Sequence, residues 1–147
     1  MIYRPAQASD IAAIKSLIQA AKINPMGLKW QHFIVAVAAD DTLVGCGQIK
    51  PHRGGSRELA SIAVQTGWRR QGIAAAIIQQ LLANEQQPVW LTCMNKLVPF
   101  YEQFGFVEVE NGRLMPRYFR YARRFFSLFQ RFNRLPGYLA VMVWVKR

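Results

Sequence analysis

Glu58-Leu59-Ala60-Ser61-Ile62-Ala63-Val64-Gln65-Thr66-Gly67-Trp68-Arg69-Arg70-Gln71-Gly72-Ile73-Ala74 is the stretch on which the reading of this chain turns. Its character changes twice. Leu59 to Val64 is an apolar run of strand length. A short connection then leads into the cationic turn Arg69-Arg70-Gln71-Gly72, and from Ile73 onward small and apolar residues recur with a helical period. A helix that starts in a tight, glycine-containing turn leaves its first backbone N–H groups without intrahelical acceptors. Such a turn is a site for a phosphate or pyrophosphate. On this reading Gly72 lets the backbone approach the ligand, where a Cβ would collide, and Ala74 is small for the same reason. Arg69 and Arg70 supply neutralising charge. Spacing alone fits equally an ordinary strand–turn–helix with surface arginines. The familiar nucleotide loops, GxxxxGK[ST] and GxGxxG, are absent.

Working outward, Ile2–Arg4 reads as a first strand. Ser9 or Asp10 caps a helix running to about Ala21, with Ile11, Ile14, Leu17, Ile18 and Ala21 on one face. Asn24-Pro25-Met26-Gly27 ends it. Phe33–Ala38 and Leu43–Ile49 are strands joined at Ala39-Asp40-Asp41-Thr42. Pro51–Ser56 is a glycine-containing loop before the strand Glu58–Val64. The helix after the cationic turn spans about 72–84. Val89–Met94 is a strand, and Leu97–Phe104 is a short helix with Pro99 in its first turn, where proline is tolerated. Val107–Glu110 and Leu139–Val145 complete the strands. The order β-α-β-β-β-α-β-α-β, then a basic segment, then β, predicts one mixed α/β domain over residues 1–147.

Bulk properties narrow the class. The chain has 147 residues, 52% hydrophobic and 18% charged, which suits a folded domain with a real core. No apolar run approaches the ~20 residues of a membrane span, and the start Met1-Ile2-Tyr3-Arg4-Pro5 lacks a signal-peptide core. The expected location is the cytoplasm. Cys46 and Cys93 sit in strand-like runs and read as buried free thiols, with a disulfide or a nucleophilic role as the alternatives. His32 and His52 have no ligand-forming neighbours at metal spacing, so no metal site is expected. The net charge of +11 is uneven: residues 1–115 carry 11 basic and 8 acidic side chains, and residues 116–147 carry 8 basic and no acidic ones.

Read together, Arg69-x-x-Gly72-x-Ala74 after an apolar strand, then Asn95 and Phe100-Tyr101-Glu102-Gln103-Phe104-Gly105-Phe106, resemble the two signature regions of the GCN5-related N-acetyltransferases (GNAT), the second commonly N…FYEKLGF. The resemblance covers Ile2 to Phe106. It implies the GNAT fold: a mixed, mostly antiparallel sheet flanked by helices. It also implies an acetyl-CoA-dependent transfer of an acetyl group directly to a primary amine. By that resemblance the amides of Arg69, Arg70, Gln71, Gly72, Ile73, Ala74 and Ala75 hold the CoA pyrophosphate, and Ile62, Ala63 and Val64 pair with the pantetheine arm. An amide near Val64 stabilises the thioester oxyanion. The middle of R-G-x-G is usually glycine, and here it is Arg70. Tyr101 is the candidate general acid for the departing thiolate, against a packing role beside Phe100 and Phe104. Glu58 is the candidate base, directly or through a water, against a solvated strand-end carboxylate or an ion pair with Arg57 or Arg53. Asn95 binds the pantetheine or caps the next helix.

Residues 117–134, Arg-Tyr-Phe-Arg-Tyr-Ala-Arg-Arg-Phe-Phe-Ser-Leu-Phe-Gln-Arg-Phe-Asn-Arg, look like an insertion before the last strand. Stepped at 100° per residue, apolar positions fill one half of the wheel and arginines the other. Seven of the chain's 18 aromatics lie here. The segment is a helix packed on its own domain, a helix on an anionic membrane surface, a homodimer or partner contact, or a lid on the acceptor site. Nucleic acid fits poorly, because the aromatics do not interleave with the arginines. A membrane-surface or partner-binding module on the same fold, with little or no catalysis, is the rival to an N-acetyltransferase acting on a small-molecule or peptide amine. The acceptor itself falls to the 22–31 loop, the 51–56 loop and the insertion.

Overall fold

A computed structural model describes all residues, 1–147. Seven strands and four α-helices are present: β1 (Ile2–Pro5), α1 (Ile11–Ala20), β2 (Phe33–Val37), β3 (Leu43–Pro51), β4 (Arg57–Val64), α2 (Ile73–Ala83), β5 (Val89–Met94), α3 (Val98–Glu102), β6 (Val107–Glu108), α4 (Arg117–Asn133) and β7 (Leu139–Trp144). The order matches the sequence reading, with small differences in length. The short helix expected over 97–104 is a 3-10 turn, Asn95–Leu97, followed by α3, and β6 ends two residues earlier than expected. Contacts gather the chain into two compact units, residues 1–50 with 58–85 and residues 51–57 with 86–147.

In the first unit the strands run β1-β2-β3-β4. β1 and β2 pair antiparallel, as do β2 and β3. Alternation along the strands sends side chains to opposite faces. Val35, Val37, Cys46 and Ala63 meet Ile14, Leu17 and Ile18 of α1 in one core. On the other face β3 presents Gly45 and Gly47 to α2. A Cβ on Gly47 would stand 2.5 Å from Ile62 Cδ1 and 2.9 Å from Ile77 Cγ2. The bare backbone is what lets Ile73, Ile77 and Leu81 lie so close to the strand. The start of the chain is pinned by Arg4, which grips the Asp10 carboxylate at 2.7 Å while that carboxylate also accepts the Gln7 amide. Asp10 stands at the N-cap position of α1, but its side chain makes no cap bond to that helix; it closes the preceding 3-10 turn, Ala8–Asp10, instead.

In the second unit β7 is central, with β5 antiparallel on one side and β6 antiparallel on the other. Met115, Phe119 and Val141 form one cluster of its buried residues, with Trp90 and Val109 against it. The 51–57 loop belongs here: the His52 ring stacks on Tyr118 at 4.1 Å and meets Phe119 edge-on.

Candidate active site

β4 delivers the chain to the cationic turn through an unusual bend. Ser61, in mid-strand, has φ +60°, the left-handed region that a non-glycine residue rarely enters. The bend is held from within: Gln48 Nε2 donates to Ser61 Oγ at 2.9 Å, and the Cys46 thiol donates to the Ser61 carbonyl at 3.5 Å. Gln48 is fully buried. It also donates to the Gly27 carbonyl at 3.3 Å, while Lys50 Nζ donates to the Met26 carbonyl at 3.1 Å. Two side chains of β3 therefore hold the 22–31 loop that the sequence assigned to the acceptor, and one of them also holds the bend in β4. A lone glutamine inside the apolar run Leu43–Ile49 was the available signal for this link.

After Val64 the chain makes a 3-10 turn, Thr66–Trp68, and enters the cationic turn. Arg69 does not reach freely into solvent, for its Nε donates to the Val64 carbonyl at 3.2 Å. Arg70 has φ +65° and Gly72 φ +78°. A Cβ on Gly72 would meet no protein atom within 4 Å, so within the protein itself glycine serves the backbone angle rather than space. Gly72 is the N-cap of α2, and the first helical hydrogen bond runs from Ala76 N to Gly72 O at 3.0 Å. The amides of Ile73, Ala74 and Ala75 are thus left without intrahelical acceptors. Arg69, Arg70, Gln71 and Gly72 are exposed, and Ile73 is buried as the anchor. The arrangement is an exposed, cationic turn with free amides at a helix N-terminus, suited to a phosphate.

Glu58, also in this unit, is only 6% exposed. It is therefore not the solvated strand-end carboxylate that was one alternative. Ile62 and Val64 are half-buried and Ala63 is buried.

The second unit carries Tyr101 and Asn95. Tyr101 is half-buried on α3, its ring edge-on to Phe100 at 5.0 Å and to Phe106 at 6.0 Å. Burial pushes its phenol up to about 12, and Cys93 adds to the shift. The group stays protonated, and so able to act as an acid, throughout the neutral range. Cys93 is buried and its thiol is raised to about 11, first by burial and then by Glu108. At neutral pH it is a poor nucleophile. Asn95 does not cap the helix. Its Oδ1 accepts the Tyr138 backbone N–H at 3.0 Å, and its own backbone N–H donates to the Tyr138 carbonyl at 2.9 Å. It fastens the end of β5 to the entry of β7, a partner 43 residues away that no local pattern announces.

Residues 5–115 match the family model of the acetyltransferase (GNAT) domain. The chain belongs to the GNAT acetyltransferase family. No curated protein shows significant sequence similarity to it. Among solved structures, this GNAT protein is similar to Rv2747 from Mycobacterium tuberculosis in complex with CoA and NLQ, at 26% identity and a TM-score of 0.75, with all of both chains covered. It shares its fold with Escherichia coli ElaA (15% identity, TM-score 0.68, 97% of this chain and 98% of that one). The same holds for N-acetylglutamate synthase from Neisseria gonorrhoeae complexed with coenzyme A and N-acetyl-glutamate (19%, TM-score 0.67). This chain covers 35% of that synthase and is itself covered over 99% of its length. The GNAT protein is thus an acyltransferase by family, with the α+β architecture the sequence implied.

Proposed function

We propose that this protein transfers the acetyl group of acetyl-CoA directly to the primary amine of a small molecule. The observation that carries the reading is the turn at Arg69–Ala75. Free helix amides, two arginines and a left-handed Gly72 follow the bent strand β4, inside the stretch matched by the acetyltransferase family. In this reading the turn holds the CoA pyrophosphate, with Arg69, Arg70 and Gln71 at its rim and Gly72, Ile73, Ala74 and Ala75 giving the amides. Ile62, Ala63 and Val64 offer backbone groups to the pantetheine arm. Asn95 serves by fixing the strand end after Met94. CoA on the 26%-identical Rv2747 supports the cosubstrate, and NLQ beside it supports a small second ligand.

The chemistry then assigns itself by protonation state. Amine attack on the thioester needs a neutral amine and ends with a thiolate. Glu58, or a water it holds, takes the proton from the ammonium. Tyr101 gives its phenolic proton to the sulfur. A phenol held near 12 is a donor at every working pH, so Tyr101 imposes no alkaline limb on the rate below about that value. Tyr101→Phe is expected to lower kcat by roughly 10²-fold or more, with CoA affinity nearly unchanged, as read by acetyl-CoA consumption and by calorimetric titration of CoA. Unaltered kcat removes Tyr101 from the mechanism. Running the assay over amino acids, polyamines and peptides identifies the acceptor class.

A further inference from the structure

The proposed acyl transfer assigns no role to α4. Phe119 is the one buried residue of this helix. On the same inner side Arg123 donates to the Glu110 carbonyl at 2.6 Å, and Gln130 donates to the Gly137 carbonyl. These ties fix the rotation of the helix about its axis, and they do not place its aromatic stripe inward. Tyr121, Phe125, Leu128, Phe129 and Phe132 are 47% to 92% exposed. On the helical wheel they occupy one arc of roughly 100°. Beside that arc stand Arg117, Arg120, Arg124 and Arg131, which line a groove of about 750 Å³ with Ser127 and Tyr138. Leu114 and Leu135, close to the two ends of the helix in sequence, are also 69% and 45% exposed.

We propose that α4 docks this protein on a bilayer surface rich in anionic phospholipid. The helix of 17 residues lies in the interface plane, its rings entering the acyl boundary and its arginines meeting lipid phosphates. No helix of the chain is long and apolar enough to cross a membrane, so the contact is one of lying on the surface. Charge selects this occupant over a second copy of the chain. Residues 116–147 hold eight basic and no acidic side chains, and two such faces brought together repel, for the carboxylate beside the groove, Glu108 on Tyr138, is outnumbered by the groove's arginines. Every basic residue in the helix is arginine, whose guanidinium matches phosphate oxygens two at a time. Nucleic acid would call for rings interleaved with the arginines, whereas here the two stand on adjacent arcs.

The test is flotation of the full chain with phosphatidylcholine vesicles, with and without phosphatidylglycerol. Binding is expected only with phosphatidylglycerol, and high salt is expected to release it. Arg124→Glu with Arg131→Glu is expected to weaken it by about fivefold or more per arginine removed. Phe125→Ser with Phe132→Ser is expected to abolish it, while circular dichroism and melting stay as in the parent because both rings are exposed. A conservative reporter, Phe132→Trp, is expected to shift its emission to the blue on adding the anionic vesicles. Failure to float with phosphatidylglycerol at low salt overturns the proposal. So does an unshifted reporter, or a parent chain that is a dimer which the phenylalanine pair converts to monomer.

Discussion

Arg70 stands in a left-handed backbone conformation, which costs an L-residue roughly 1–2 kcal/mol relative to glycine. The motif this chain resembles usually has glycine there, so the sequence marked the position but not what the backbone does at it. The turn keeps its shape and carries the strain, with a guanidinium at its rim in exchange. Arg70→Gly is therefore expected to stabilise the fold by about 1 kcal/mol and to weaken CoA binding several-fold, as measured by thermal melting and titration. If both quantities move the same way, one of the two roles is wrong. Gly72 shows the complementary case: the reading from sequence is steric, whereas within the protein a Cβ there meets nothing and the left-handed φ is what calls for glycine. Ser61 was invisible, since a serine between Ala60 and Ile62 carries no turn signal. Its bend depends on Gln48 and Cys46, brought to it by strand pairing rather than by nearness in sequence.

Helices and strands were legible wherever one face is buried and the other is not. β5 falls on its expected limits, and β4 and α2 lie within one residue of theirs. Alternation and the 3.6 period are imprinted by burial, and burial is what the sequence pattern records. What the pattern left out is how closely two elements approach. β3 carries glycine at 45 and 47 on the side facing α2, where Ile77 is fully buried and has no room to withdraw. Gly47→Ala is expected to cost about 1–3 kcal/mol through overpacking, seen as a lower denaturation midpoint. An unchanged midpoint would mean that α2 shifts freely on the sheet. The short α3 and β6 were blurred for a different reason. Elements of two to five residues hold too few positions to show a period.

At the scale of the molecule, the family match over residues 5–115 runs through parts of both compact units. We propose that the chain folds as one domain, and its two cysteines report on this. Cys46 belongs to the first unit and Cys93 to the second. Burial holds their thiols at about 12 and about 11, so neither thiolate forms near neutral pH in the native state. Ellman's reagent is expected to find no reactive thiol in the native protein and two in urea, both appearing at one midpoint. Separate midpoints would show two bodies. The acceptor was not legible at any scale: the loops expected to meet it carry no period, and the anchor of the 22–31 loop, Gln48, lies elsewhere in the chain. The ties that hold α4, Arg123 to Glu110 and Gln130 to Gly137, have one more consequence. A helix whose backbone is already held has less ordering cost to meet when something binds its outer face, the exposed side chains alone remaining to be fixed. The outer face of α4 is thus presented at a fixed rotation, set by bonds made on its opposite side.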